Sequence, residues 1–353
     1  MTTIKDAKYA LDKIIDKARV HFYKPIQIAE ILYRDRVIQD INLIDLATYR
    51  ISSKKWRDII CLQFLGRTSA SSARYQDDLF NDNAIPPPIL ACLGEENRIH
   101  QGIVEAYIYH RFAQRIGQLS TGLDYCQTHD ANTFQLREFL ALFWHEAGLR
   151  RSIDKVYEII VYALFSTLVE VLEVNIDVSI NTEKKTILQD FEDFTEAVIQ
   201  LNAKKTHYRL KARINRTGVT NAADRGLDMW ANFGLAIQVK HLSLTEELAE
   251  NIVTAISADR IVIVCKDAEK KIIVSLLNQM GWKSKIQSIL VESDLIRWYE
   301  KALRGEFANT IAHHILNKLS AEIQLEFPST DKTEFMAFLK TRGYETLTHN
   351  FWL

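Results

Sequence analysis

Asp228, Gln238 and Lys240 are residue types that metal-assisted phosphodiester hydrolysis requires. That reaction needs hard oxygen ligands for a magnesium ion, a positioned water, and positive charge where negative charge accumulates at the phosphate. Asp228 is the expected metal ligand, Gln238 offers an amide oxygen to metal or water, and the backbone carbonyl of Val239 is a further ligand. Lys240 would orient the attacking water or stabilise the transition state. Gln238 and Lys240 are two apart, so on a strand they share one face while Ile237 and Val239 take the other. A hairpin turning at Asn232, Phe233 and Gly234 would return Asp228 alongside Gln238. The plainer reading gives Asp228 a turn hydrogen bond, Gln238 a partner across the hairpin and Lys240 a path to solvent. Scaffold decides between the two, because a motif this short recurs by chance.

The pattern around these residues is that of an α/β unit beginning at Lys184. A helix is expected from Thr186 to Leu201, a strand from His207 to Ile214, and a turn-rich stretch containing Gly218, Asn221 and Gly226. The hairpin strands are Leu227 to Trp230 and Leu235 to His241. Thr245 caps a helix to about Ile256, with Glu246 and Glu247 in its first turn. Strand Arg260 to Cys265, helix Ala268 to Met280 closed by Gly281, and strand Ile286 to Val291 complete the order α-β-β-β-α-β-α-β. Upstream, apolar residues recur at helical spacing in Ala7 to Ile15, Ile26 to Val37, Trp56 to Leu65 and Gly102 to Ile116. Pro86, Pro87 and Pro88 read as an extended turn and Ser120 to Asn132 as a polar loop, with further helices to about Asn175.

Gln238 leaves the metal one carboxylate short, since an amide carries no charge. Glu192 and Glu196, one helical turn apart on the preceding helix, are the candidates to supply it, although each by itself also reads as an ordinary solvated helix residue; Glu250, on the helix after Lys240, is a weaker one. A formal net charge of −1 offers no general attraction to a polyanion, so phosphate binding needs local clusters. One exists: from Ala197 to Ala223 there is no acid, while Lys204, Lys205, Arg209, Lys211, Arg213 and Arg216 fall inside. Arg209, Lys211 and Arg213 alternate with Leu210, Ala212 and Ile214, giving a cationic and an apolar face, or simply a charged edge strand. A second cluster follows a helix ending near Gly66, spaced like a helix-turn-helix. Arg67, Ser69, Ser71, Ser72, Arg74 and Gln76 there could meet phosphates or base edges, with Lys54, Lys55 and Arg57 nearby, although serines at a helix start are also ordinary caps.

The chain has 353 residues, enough for two domains, and is 47% apolar. Cys61, Cys92, Cys126 and Cys265 form no CxxC pair, which argues against zinc, disulfides and redox chemistry and fits a reducing cytosol. The charged start MTTIKDAKYALDKII lacks the apolar run of a signal peptide, and Ile159 to Val169 is too short to span a bilayer, so a cytoplasmic protein without membrane contact is expected. His313 and His314 are adjacent on a helical tail, a poor arrangement for sharing a metal.

Asp228, Gln238 and Lys240 resemble the PD-(D/E)xK nuclease signature in the variant where glutamine replaces the second acid. More widely, KPIQIAEILYRDR, SKKWRDIICLQFLGRTSASSARYQDDLF, GIVEAYIY and GLDMWANFGLAIQVKH resemble the HaeII-type family of type II restriction endonucleases, a likeness extending over most of the chain. The resemblance implies a restriction-endonuclease-like α/β core, a mixed sheet flanked by helices, with a mainly helical N-terminal domain. Residues 1–183 are then the recognition and dimerisation region, 184–306 the nuclease core, and 307–353 a helical extension packed on that core. It further implies a bacterial, magnesium-requiring homodimer that cuts both strands of a short palindromic site in double-stranded DNA. A cognate methyltransferase would act on the same site without a stable complex. A modification-dependent or repair nuclease of the same superfamily, and a non-catalytic helix-turn-helix regulator, are the alternatives.

Overall fold

The structure, a computed structural model, describes residues 3–18, 22–69, 78–145, 153–217, 227–240, 258–267, 271, 273–275, 286–327, 332–347 and 351–352. Its contacts divide the chain into two units. The first contains residues 1–156, 219–222 and 320–353, and the second residues 157–218 and 223–319.

In the first unit the described elements are helical: α1 (Ile4–Lys17), α2 (Tyr23–Tyr33), α3 (Ser52–Leu65), α4 (Pro87–Ile99), α5 (Ile103–Thr128) and α6 (Leu136–His145). α2 is buried continuously from Pro25 to Leu32, because helices pack on it from more than one side. Two expectations shift here. Pro86 is extended but Pro87 and Pro88 form the first turn of α4, where a missing N–H costs nothing. The stretch expected as a loop from Ser120 stays helical to Thr128, since polarity without proline or a cap does not end a helix.

The second unit holds most of α7 (Ile153–Val171) and then seven strands. β1 (Asn175–Ser179) pairs antiparallel with β2 (His207–Lys211) as a separate two-stranded sheet. The main sheet is ordered β3 (Ile214–Arg216), β4 (Met229–Ala231), β5 (Leu235–Lys240), β6 (Arg260–Cys265), β7 (Ile286–Val291). Its first two pairings are antiparallel and its last two parallel, so the fold is mixed α/β with a mixed sheet. β6 is apolar and buried from Ile261 to Cys265, as a strand covered on both faces must be. Ala236, Ile261, Ile263, Cys265, Ile273 and Val291 form the core beneath one face. Beyond β7 come α10 (Glu292–Arg304), α11 (Ala308–Glu326) and α12 (Lys332–Thr341).

The expected strand from His207 to Ile214 is two strands in two sheets. Asn232 causes the break: its Oδ1 accepts from the N–H of Arg213 (2.8 Å) and its Nδ2 donates to the carbonyl of Lys211 (3.0 Å). β1, which begins where the upstream helices were expected to end, pairs with β2 in its place. The helix expected from Thr186 to Leu201 is three short pieces, α8 (Lys185–Asp190), α9 (Glu192–Phe194) and a wide turn Thr195–Ile199. The division also differs from that expected. It falls at 156/157 instead of 183/184, and residues 320–353 group with the N-terminal helices, since Phe335, Leu339 and Tyr344 belong to their core. The expected helix from Thr245, with Glu246, Glu247 and Glu250, and the turn residues Gly218, Asn221, Gly226 and Gly281 lie outside the described residues, as does most of the helix expected from Ala268.

Candidate active site

The hairpin that carries the site forms as its sequence dictates. β4 and β5 pair Met229 with Ile237, Trp230 with Ala236 and Ala231 with Leu235, leaving Asn232, Phe233 and Gly234 as the turn. Gly234 has φ +82°, and a Cβ there would sit 2.8 Å from the Asp259 carboxylate, so only glycine closes this hairpin without strain.

One residue before β4, Asp228 stands opposite Gln238. Gln238 Nε2 donates to Asp228 Oδ2 (2.5 Å), and the backbone N–H of Val239 donates to the same oxygen (2.8 Å). The ladder between β4 and β5 therefore stops at Met229 and Ile237, and a carboxylate takes the next N–H in place of a backbone carbonyl. Thr217 fixes the other side, donating its N–H (2.9 Å) and its hydroxyl (3.0 Å) to the Asp228 carbonyl. The first expected pairing of the site is thus present.

Gln238 is 1% exposed, yet its Oε1 has no hydrogen-bond partner among the described residues. A buried amide oxygen left unmatched costs on the order of 1–3 kcal/mol. Such an atom beside a carboxylate supplies, with Asp228, two of the hard oxygen donors that magnesium prefers, so the residues present fit that ion in part. Among the described residues no group of three or more His, Cys, Asp or Glu side chains is placed to hold a metal ion. The structure describes Lys240 through its backbone, which ends β5 opposite Cys265 of β6 and shares the strand parity of Gln238.

Glu192 and Glu196 do not gather with Asp228 into an acidic cluster. Glu192 Oε1 accepts from the N–H of Ala203 (3.2 Å) and Glu196 Oε1 from Asn202 Nδ2 (2.6 Å), so both carboxylates fasten the turn that follows their own helical segment. The helix expected to deliver them is broken at Phe191, which lets it fold back on that turn. Glu250 lies outside the described residues.

The basic residues scatter. Arg209 pairs with Asp177 across the small sheet (2.7 Å), and its guanidinium lowers the pKa of that carboxyl mainly through the hydrogen bond. Lys211 lies exposed on the same strand; Arg213 falls in the break between the sheets, exposed, and Arg216 on β3 is half-buried. The expected apolar face is only partly formed, Ala212 and Ile214 being buried and Leu210 exposed. In the first unit Arg67 donates to the carbonyls of Leu325 and Glu326, capping the end of α11, and Arg57 is buried against Asp58 and Gln27. Ser71, Ser72, Arg74 and Gln76 lie outside the described residues, and with them the second helix of the expected helix-turn-helix. None of the four cysteines forms a disulfide, and burial pushes the thiols of Cys61 and Cys126 up to about 12. Two residues that sequence spacing does not single out are Thr217 and Asn232; an Asn at a turn signals only a turn, and a Thr beyond a strand end signals nothing.

Comparison with known proteins adds what geometry does not. The model of the HaeII restriction endonuclease family matches residues 7–344. The chain belongs to the HaeII restriction endonuclease family. It is 61% identical over 344 residues to the type II restriction enzyme HaeII of Haemophilus aegyptius, covering 98% of each chain. It is 57% identical over 347 residues to the type II restriction enzyme NgoBI of Neisseria gonorrhoeae, again covering 98% of each. No solved structure matches. Family membership makes the chain a type II restriction endonuclease, which removes the non-catalytic regulator from consideration. Among the described residues no helix is long and apolar enough to cross a membrane.

Proposed function

We propose that this enzyme hydrolyses a phosphodiester bond in each strand of a short palindromic site in double-stranded DNA, using magnesium held at a PD-(D/E)xK-type centre built on the β4–β5 hairpin. The observation that carries the reading is the buried Oε1 of Gln238, without a hydrogen-bond partner among the described residues, beside the Asp228 carboxylate, in a chain of this family.

The Asp228 carboxylate, Gln238 Oε1 and the Val239 carbonyl would hold the ion. When bound, magnesium neutralises charge on the phosphate oxygens and lowers the pKa of water. Val239 N–H and Thr217 keep the Asp228 carboxylate and backbone in place, so little reorganisation accompanies substrate binding. Lys240 is assigned to orient the attacking water and stabilise charge on the phosphate. Gln238 must turn its amide away from Asp228 or share it, because Nε2 now occupies Oδ2. Any further acid comes from Glu192 or Glu196 only if their turn opens. Arg209, Lys211, Arg213 and Arg216 are assigned to phosphates flanking the cut, and Arg67, Ser71, Ser72, Arg74 and Gln76 to the DNA contact of the helical region.

Cutting both strands of a symmetric site calls for two copies of this centre, hence a homodimer. The enzyme would act in the bacterial cytoplasm, with a cognate methyltransferase protecting the same site without a stable complex. The test is incubation of unmethylated DNA with magnesium or with chelator, followed by sequencing of fragment ends. Discrete fragments with one overhang are expected only with magnesium. Lys240→Ala is expected to abolish cleavage while retaining site-specific binding in calcium; wild-type cutting by that variant sinks the assignment.

A further inference from the structure

Trp230 lies in the centre of β4, two residues from Asp228. Its neighbours Met229 and Ala231 are buried, but Trp230 is 45% exposed. Register fixes its face. Opposed residues of an antiparallel pair project to the same side, and so do residues two apart. Trp230 opposes Ala236 and Asn215, and Asp228 contacts Gln238, so Trp230 shares one face of the sheet with Asp228 and Gln238. Ile214, Met229, Ala231, Ile237 and Val239 of the opposite face are buried, as are Ala236 and Gln238 on the site face, so Trp230 is the exposed member of this part of the hairpin. The indole therefore stands on the site face of the sheet. Among the described residues it makes no ring contact or hydrogen bond, unlike the densely paired aromatics of the helical unit.

Two residues along a strand span about 7 Å, comparable to one nucleotide along a DNA strand. A phosphate set at Asp228 thus places the adjoining nucleotide over position 230. An exposed indole is a stacking surface for a base and an apolar surface for a deoxyribose, and neither contact depends on sequence. We propose that Trp230 is a positioning residue that packs against the nucleotide next to the scissile phosphate and holds the bond in line with the Asp228 centre. The inference rests on the site assigned above. It gives that site a non-ionic contact with its DNA substrate.

The test uses the full-length enzyme and a duplex carrying its own cleavage site, identified from fragment ends. In calcium, cognate duplex is expected to change the wild-type tryptophan emission, and Trp230→Phe is expected to lose most of that change. With magnesium, Trp230→Ala is expected to lower kcat/KM by about 10- to 100-fold, and Trp230→Phe, which keeps an aromatic face, to stay within about threefold of wild type. Melting temperatures of both variants should match wild type, since the residue is half in solvent. Wild-type cleavage by Trp230→Ala, or an emission change that survives in Trp230→Phe, overturns the proposal. Asp228→Asn separates this from failure of the site itself: if that variant still cuts, the centre is misplaced and Trp230 loses its role. If Asp228→Asn is inactive while Trp230→Ala is unimpaired, only the role of Trp230 falls.

Discussion

The molecule treats buried polar groups in its helical unit and in its sheet unit in opposite ways. In the helical unit, Glu105 is fully buried and both its oxygens are occupied. Arg36 grips it with two bonds of 2.9 Å, Asn97 donates to Oε1 and Tyr344 to Oε2. Glu30 is similarly held by Tyr109 and Arg342, and its carboxyl pKa is raised because burial outweighs the pull of Arg342. The remaining buried nitrogen of Arg342 has no hydrogen-bond partner among the described residues, but the guanidinium lies 3.3 Å from the centroid of the Tyr33 ring. In the sheet unit, Gln238 is equally buried, and among the described residues its amide oxygen has no donor. Saturated networks hold parts of a chain together; an unsaturated buried acceptor stores a cost that a ligand can relieve.

The largest test of that contrast is Glu105→Ala. It would strand Arg36 and Tyr344 without their acceptor and is expected to cost about 3–5 kcal/mol, read as a lower urea midpoint. Gln238→Leu should do the reverse. Removing an amide oxygen that no described residue satisfies offsets the lost bond to Asp228, so stability is expected to move by less than about 1 kcal/mol while cleavage falls at least about 100-fold. Equal destabilisation by the two would erase the distinction.

Gln238→Glu sharpens it further. A second carboxylate against Asp228 raises the pKa of the pair, so in chelator the variant is most stable when protonated. Its stability should fall as pH rises through that raised pKa, by about 1–2 kcal/mol, and magnesium should restore it. Thermal melts from pH 5 to 8, with and without magnesium, read this directly. The smallest effect is expected from Arg209→Ala, which opens an exposed ion pair. The melting temperature should not move, and the slope of log binding constant against log salt should drop by about one.

Local rules made part of this fold legible. Arg260 to Cys265 and Ile286 to Val291 are strands with the boundaries their apolar runs announce, and Gly234 turns the hairpin where a positive φ is needed. Asp228 meets Gln238 because hairpin register follows from turn position. What failed had distant partners. Nothing within residues 207–214 says that β2 will leave the main sheet for β1, since Asn232 imposes that from across the hairpin turn. Glu192 and Glu196 read as available acids until Ala203 and Asn202 claim them.

By itself, then, the sequence determined the hairpin, the facing of Asp228 and Gln238, and the family, because turn geometry, strand parity and sequence likeness are carried by neighbouring residues in the chain. Only the tertiary structure decided that residues 320–353 join the N-terminal helices, that Arg67 and Arg209 already have partners, and that Gln238 is buried with an oxygen that no described residue satisfies. Each of those depends on which surfaces meet across long sequence separations, where burial and hydrogen-bond satisfaction act on the whole fold at once.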